Sequence, residues 1–157
     1  MTPDPLVPRA PKSGVISYAK PLVTVFLADD DDEFREVARS ILTDDGYEVT
    51  VAADGREALE RLAAISDADL PLPDVLLLDF VMPKLSGLGV LRALRFVQRL
   101  PPTIIMTGFA DPSVNAFAAS MGAFRLLRKP VTREALCTAV GDAALLATQK
   151  NAARRGT

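Results

Sequence analysis

The chain has 157 residues, 18 basic against 20 acidic side chains, a formal charge of -2 and no histidine, a size that suits one domain burying about 68–70% of its unfolded surface. Beyond Arg154 and Arg155 there is no basic stripe for nucleic acid, so direct nucleic-acid binding is not expected. The missing histidine excludes Ser-His-Asp and Cys-His nucleophiles, the usual zinc sites and a phosphohistidine on this chain, while the single Cys137 has no partner for a disulfide or redox pair within it.

Residues 1–21 carry prolines at 3, 5, 8, 11 and 21 and no sustained periodicity, and read as a flexible leader. They do not resemble a secretory signal, and no apolar run approaches the roughly 18–20 residues of a membrane span. A soluble, cytoplasmic protein is expected. From Val23 onward, short β-branched runs alternate with amphipathic stretches. The spacing predicts strands over 23–28, 47–52, 74–79, 102–107 and 124–128, and helices over 32–45, 55–65, 87–99, 112–121 and 133–149. Strict alternation of this kind predicts an α/β fold with a doubly wound parallel sheet covered on both faces.

Local signals agree with those limits. Gly46 stands where the first helix must stop, and Asp54 is placed to cap the second. Asp111 precedes Pro112 as an N-cap before a proline at the first helical position, and Thr132 caps the last helix with Glu134 near its positive end. Residues 66–73 read as a loop. In the last helix Leu136, Val140 and Ala144, with Ala147 or Thr148, recur at helical spacing, and residues 150–157 read as a polar tail. The domain is thus expected over 22–149.

Each of four apolar runs ends on a residue able to handle phosphate or metal: VTVFLA before Asp29 and Asp30, DVLLL at Asp79, TIIM at Thr107 and AFRLLR at Lys129. Parallel strands bring their carboxyl ends to one edge, where open α/β sheets place ligand sites. Asp31, Asp32 and Glu33 have an ordinary role in the first turn of a helix, worth about 0.3–1 kcal/mol each. Asp29 and Asp30 differ, because two adjacent like charges at a strand end repel unless a cation joins them. With Asp79 they suit magnesium, which takes one or two protein carboxylates plus phosphate oxygens and waters. Asp79 leaves the most apolar run of the chain and has the chemistry of a phosphoryl acceptor. Thr107 with Gly108, and Lys129, suit phosphoryl oxygens, although each alone is also an ordinary turn residue.

The segments FLADDDDEFRE, VLLLDFVMPKLSGLGVL, IIMTGFAD and GAFRLLRKPVT resemble, in order, the four signatures of the receiver domain of two-component response regulators, the CheY-like superfamily. The resemblance covers residues 23 to about 149, and its most specific part is the Asp-x-x-Met-Pro-x-x-x-Gly stretch at 79–87 with Lys129-Pro130 downstream. It implies a five-stranded parallel sheet in the order 2-1-3-4-5, with two helices on one face and three on the other. It further implies that Asp79 is the phosphoacceptor, served by the histidine of a partner sensor kinase, and that the domain either binds a downstream protein or relays the phosphoryl group to a histidine phosphotransfer protein. Asp29, Asp30, Asp79 and the backbone carbonyl of Val81 would hold Mg2+, or Mn2+ in its place. Thr107 would move toward the aspartyl phosphate, Lys129 would pair with it, and the Lys129-Pro130 bond would be cis. A downstream protein would dock on the fourth helix, fifth strand and fifth helix, and the chain itself would not be an enzyme.

Some positions depart from the family pattern. Leu126 stands three residues before the lysine, where relatives carry Tyr or Phe, and Phe124, two residues earlier, is expected on the same strand face as a substitute. Val81 and Phe109 are apolar where relatives are often polar, which predicts slow loss of a phosphoryl group. Two rival readings compete. A haloacid-dehalogenase-like phosphatase would use Asp29-Asp30-Asp31, Thr107, Lys129 and Gly141-Asp142, and leaves Asp79 unexplained; an unphosphorylated docking module leaves the whole acidic set unexplained. A free-standing receiver is expected, with an excised receiver of a hybrid kinase as the alternative.

Overall fold

Five parallel strands form the sheet, in the order β2-β1-β3-β4-β5. The computed structural model describes residues 22–96, 99–109 and 111–156; the proposed leader at 1–21 lies outside them. The strands are β1 (Thr24–Ala28), β2 (Glu48–Ala52), β3 (Val75–Asp79), β4 (Thr103–Thr107) and β5 (Arg125–Arg128). Between and after them run α1 (Asp32–Asp44), α2 (Gly55–Asp67), α3 (Gly87–Leu94), α4 (Pro112–Ser120) and α5 (Arg133–Arg155).

The period of two along each strand builds two separate cores. Phe26, Ala28, Leu76, Leu78 and Ile105 point to one face, where Ala58 and Leu62 of α2, Val90 and Leu91 of α3, and Ala118 of α4 cover them. Val25, Leu27, Val75, Leu77, Ile104 and Met106 point to the other, against Ala38 and Leu42 of α1 and Leu136, Val140 and Ala144 of α5. Two helices therefore lie on one face and three on the other. β1, β3 and β4 are central strands, so both of their faces are dry and their sequences read as unbroken apolar runs rather than alternating ones. Each fully buried Leu in them adds roughly 1.5–3 kcal/mol.

Helix starts fall where the capping residues place them. Asp31, Asp54, Ser86, Asp111 and Thr132 each accept a backbone N–H of the first turn. Gly46 has φ 92, the left-handed conformation that glycine tolerates at a helix end.

The helix ends differ from expectation by more than one residue at three places. The second helix runs to Asp67, so the connection read as 66–73 starts later, through Asp69 at φ 54, a left-handed position that Asp accepts more readily than most residues. The third helix closes at Leu94, not 99; its cap amide at Arg95 bonds back to Arg92 O, and Phe96 is exposed with the Arg95 guanidinium 4.6 Å from its ring centre. Residues 97 and 98 lie outside the described residues. The fifth helix continues to Arg155 through the stretch read as a polar tail. Its buried positions stop at Ala147, but Ala and Arg keep their helix propensity without a core to cover, and Arg154 and Arg155 favour the negative end of the helix.

Phe124 does not share a face with Leu126. Leu126 packs on the α2-α3-α4 side and Phe124 on the α1-α5 side with Leu127. β5 begins only at Arg125, so Phe124 lies before the pleat and the two-residue alternation does not extend to it. The Lys129-Pro130 peptide is cis, as the resemblance implied.

Candidate functional site

The strand register brings the polar ends together. Ala28 lies opposite Leu78, Asp79 opposite Met106 and Thr107 opposite Arg128. Residues that follow β1 and β5 therefore flank those that end β3 and β4, at the carboxyl edge of the sheet. Carboxylate oxygens of Asp29, Asp30 and Asp79 all lie within 4.8 Å of one another. Asp29 is fully buried and Asp79 nearly so, while Asp30 is exposed to solvent.

Asp29 is held at every atom that can be held. Its Oδ1 accepts the Asp31 N–H at 2.9 Å, its Oδ2 accepts Lys129 Nζ at 2.9 Å, and its carbonyl accepts the Arg35 guanidinium at 2.8 Å. Arg35, which also pairs with Asp32, had no signature in the sequence; an arginine in an amphipathic helix reads as solvated surface. Asp79 Oδ2 faces the same Lys129 Nζ at 3.2 Å, and Asp79 Oδ1 takes the Val81 N–H at 3.4 Å. One ammonium thus serves two buried carboxylates. Burial, and then the neighbouring charge of Asp29, push the Asp79 carboxyl up to about 6, against the opposing pull of Lys129. Burial pulls Lys129 down, yet its bonds to Asp29 and the charges of Asp29 and Asp79 prevail, and its ammonium is held above its ordinary value.

Thr107 is buried at the end of β4, and its Oγ1 accepts the Phe109 N–H at 3.0 Å. Its carbonyl accepts the Lys129 N–H at 2.7 Å, which sets the backbone of the lysine beside the strand end. Val81 and Phe109 are both about half exposed, at 55% and 53%, and the Phe109 ring meets Phe80 edge-on at 5.8 Å. The rim of the site is apolar on two sides.

Two glycines account for the spacing of the 79–87 stretch. A Cβ on Gly87 would fall 2.2 Å from the Asp79 carbonyl oxygen, and one on Gly55 would fall 1.8 Å from the Leu85 carbonyl oxygen. Helix α3 can start against the end of β3, and the β3-α3 loop can lie against the start of α2, only without those side chains.

The residues named for a phosphatase of the dehalogenase type do not assemble. Gly141 and Asp142 lie inside α5, and Asp142 pairs with Arg125 at 2.8 Å, so no late acidic motif joins Asp29. A groove of about 550 Å³ lies at the opposite pole among Pro71, Pro73, Arg99, Pro101 and Lys150, and none of Asp29, Asp30 and Asp79 lines it. Among the described residues no helix is long and apolar enough to cross a membrane.

The structure resembles the crystal structure of a response regulator receiver domain protein from Clostridium thermocellum, with TM-score 0.73 and 31% identity over 82% of this chain and 98% of that one. The chain is 42% identical over 111 residues to a protein-glutamate methylesterase/protein-glutamine glutaminase of Myxococcus xanthus. It is 39% identical over 114 residues to the response regulator MprA of Mycolicibacterium vanbaalenii. These matches take in 69% and 73% of this chain but only 30% and 47% of the relatives, so it spans less than half the length of either. The family model for the response regulator receiver domain matches residues 25–141. That range takes in the five strands, short only of Thr24 at the start of β1, with the acidic cluster and Lys129, and the chain belongs to the receiver domain family of two-component response regulators.

Proposed function

We propose that Asp79 accepts a phosphoryl group from a phosphohistidine on a partner protein, a sensor kinase or a histidine phosphotransfer protein, and that the phosphorylated domain binds a downstream protein differently. The observation that carries this is the convergence of Asp29, Asp30 and Asp79 on one point beside Lys129 Nζ. An Asp79 oxygen attacks phosphorus, the P–O bond forms as the P–N bond breaks, and the leaving imidazole takes a proton. At neutral pH most of Asp79 is ionised even with its carboxyl raised to about 6, so the nucleophile is available.

The product adds roughly -1.5 to -2 charges to a site that already holds three carboxylates. Lys129 answers part of that charge by moving from Asp79 Oδ2 to a phosphoryl oxygen, while its bond to Asp29 keeps it in place. The Thr107 hydroxyl, which now accepts from Phe109, still has its own proton to donate to another phosphoryl oxygen. The donor set fits a hard divalent cation: three carboxylates within reach of one point, one of them open to solvent, and no nitrogen or sulfur ligand. Asp29, Asp30, Asp79 and the Val81 carbonyl would hold Mg2+, or Mn2+, and the cation would screen the charge of the incoming group.

In this reading the chain is the kinase's substrate and not itself an enzyme, acts in the cytoplasm, and signals through α4, β5 and α5 without touching nucleic acid. Incubation with acetyl phosphate and Mg2+, followed by intact-mass measurement, tests it. A gain of one phosphoryl group that Asp79→Asn or EDTA abolishes is expected. An unchanged yield under EDTA overturns the metal requirement, and no gain at all favours an unphosphorylated docking module. Hydrolysis of a phosphate ester lost in Asp29→Asn but kept in Asp79→Asn would return the phosphatase reading.

A further inference from the structure

The β3-α3 loop, residues 80–86, supplies the one proposed metal ligand that is not a carboxylate, the carbonyl of Val81. Its inner end is tied to the strand: Val81 N–H bonds to Asp79 Oδ1 and Gly87 N–H to Phe80 O. Its outer end is tied to a different element. Lys84 Nζ lies 3.2 Å from Asp54 Oδ2, and the Leu85 carbonyl lies against Gly55, where no side chain would fit. Asp54 is fixed in its turn, because its Oδ1 caps α2 through the Glu57 N–H at 2.9 Å while the Glu57 carboxylate returns to the Ala53 N–H at 2.9 Å.

Lys84 reaches Asp54 from a left-handed backbone, φ 70, a region that residues with a Cβ occupy sparingly. A lysine on a free loop has no reason to stay there. The hydrogen bond from the Glu57 amide, with the bond and charge of Lys84 behind it, holds the Asp54 carboxyl below its ordinary range against the opposing effect of burial.

We propose that Lys84 and Asp54 form a strap that positions the Val81 carbonyl, so that the affinity of the acidic site for a divalent cation depends on two residues that do not touch the cation. The inference rests on the metal reading of the site above and adds a positioning pair to it. An ordinary surface ion pair would have little consequence at a distance. What distinguishes this one is that both partners sit at fixed points: a helix cap on one side, and on the other a loop whose next residue is pressed against that same helix start.

Charge alone and positioning predict opposite signs for one of the two partners. Removing the Lys84 ammonium from the neighbourhood of three carboxylates would strengthen cation binding by simple Coulomb repulsion, and removing the Asp54 charge would weaken it. A strap predicts weakening in both cases. Asp54→Asn keeps the helix cap, since Asn caps as well as Asp, and Lys84→Met keeps the length of the stem.

The test is calorimetric titration of the metal-free protein with Mg2+ for the parent, Lys84→Met, Asp54→Asn, the double variant and Lys84→Arg. Each single change is expected to weaken binding roughly two- to five-fold, the double no more than the larger single, and Lys84→Arg to stay near the parent. In the absence of metal, amide exchange at Val81 and Gly87 is expected to quicken in Lys84→Met. Equal or tighter Mg2+ binding by Lys84→Met, with unchanged exchange, overturns the strap and leaves the site reading intact. A parent that takes up no Mg2+ overturns the site reading, and the strap's effect on affinity with it.

Discussion

In the proposed reaction Asp79 is under two opposing demands, because it would have to be ionised to act as a nucleophile and yet is buried beside the equally buried Asp29. Its carboxyl, raised to about 6 by burial and by Asp29, binds protons more readily in the folded than in the unfolded chain. Native stability from this group is therefore fully present below the unfolded value near 4 and is lost as pH rises through 6. In metal-free buffer Asp79→Asn removes that loss. At pH 7.5 its Tm should exceed the parent's by about 3–6 °C, taking roughly 1–2 kcal/mol after discounting for solvent screening. The difference should shrink steadily between pH 6 and 4, and a Tm difference independent of pH would show that burial is not the cause. Val81 and Phe109 would act at the other side of the same proposed chemistry. Both are half exposed and apolar at the rim, where they offer a hydrolytic water no hydrogen-bond partner. Val81→Asn or Phe109→Glu is expected to shorten the lifetime of the phosphorylated form, measured by loss of the phosphoryl mass with time, and unchanged lifetimes would remove these side chains from the account.

At the level of elements the site is a set of strand ends, and that is why it was legible. The apolar runs of β1, β3 and β4 stop at Asp29, Asp79 and Thr107 because those strands are buried on both faces until the edge of the sheet, and a parallel sheet aligns the stops. Helix starts were legible for a similar reason, since an Asp or Thr cap is a local signal. Helix ends were not: α3 stops before its apolar pattern does, and α5 outlasts its own, and neither ends on a glycine in the left-handed conformation that would mark the stop in the sequence. The partner of Lys129 was also out of reach. The Lys129 ammonium pairs with Asp29 and Asp79, a pairing between separate strand ends that no spacing reveals. Gly87 was visible as part of a motif, but its reason is steric, since α3 begins in contact with the Asp79 carbonyl. Gly87→Ala should force the helix start away from β3 at a cost of roughly 1–3 kcal/mol. It should also slow phosphorylation of Asp79 by acetyl phosphate at temperatures where the variant is fully folded. A variant with parent-like stability and rate would show that the close approach is not needed.

Across the whole molecule the sheet separates two cores that share no side chain, and this decides how a change at Asp79 can travel. The α2-α3-α4 side contains Leu126 with Ile105, Ala118, Met121 and Ala123, while the α1-α5 side contains Phe124 with Leu127 and Val131. Thr107 ends β4, and Ile105, two residues before it, points into the Leu126 core. The proposed movement of Thr107 toward a phosphoryl group would therefore act first on Leu126 and on α4 behind it. Phe124 lies across the sheet, with the Arg125 guanidinium 5.4 Å from its ring centre, and is placed to support α5 instead. The two residues should then separate cleanly in experiment. Phe124→Ala is expected to lower stability by roughly 1–3 kcal/mol, less than for a fully buried Phe. It should leave intact the amide shifts that a beryllium fluoride phosphoryl mimic produces in α4. Leu126→Ala is expected to diminish those α4 shifts while Asp79 still takes up phosphoryl from acetyl phosphate, because the acidic cluster and Lys129 are untouched. The reverse pattern, with α4 silent in Phe124→Ala and responsive in Leu126→Ala, would mean that the signal crosses the sheet, and coupling would have to run through α5.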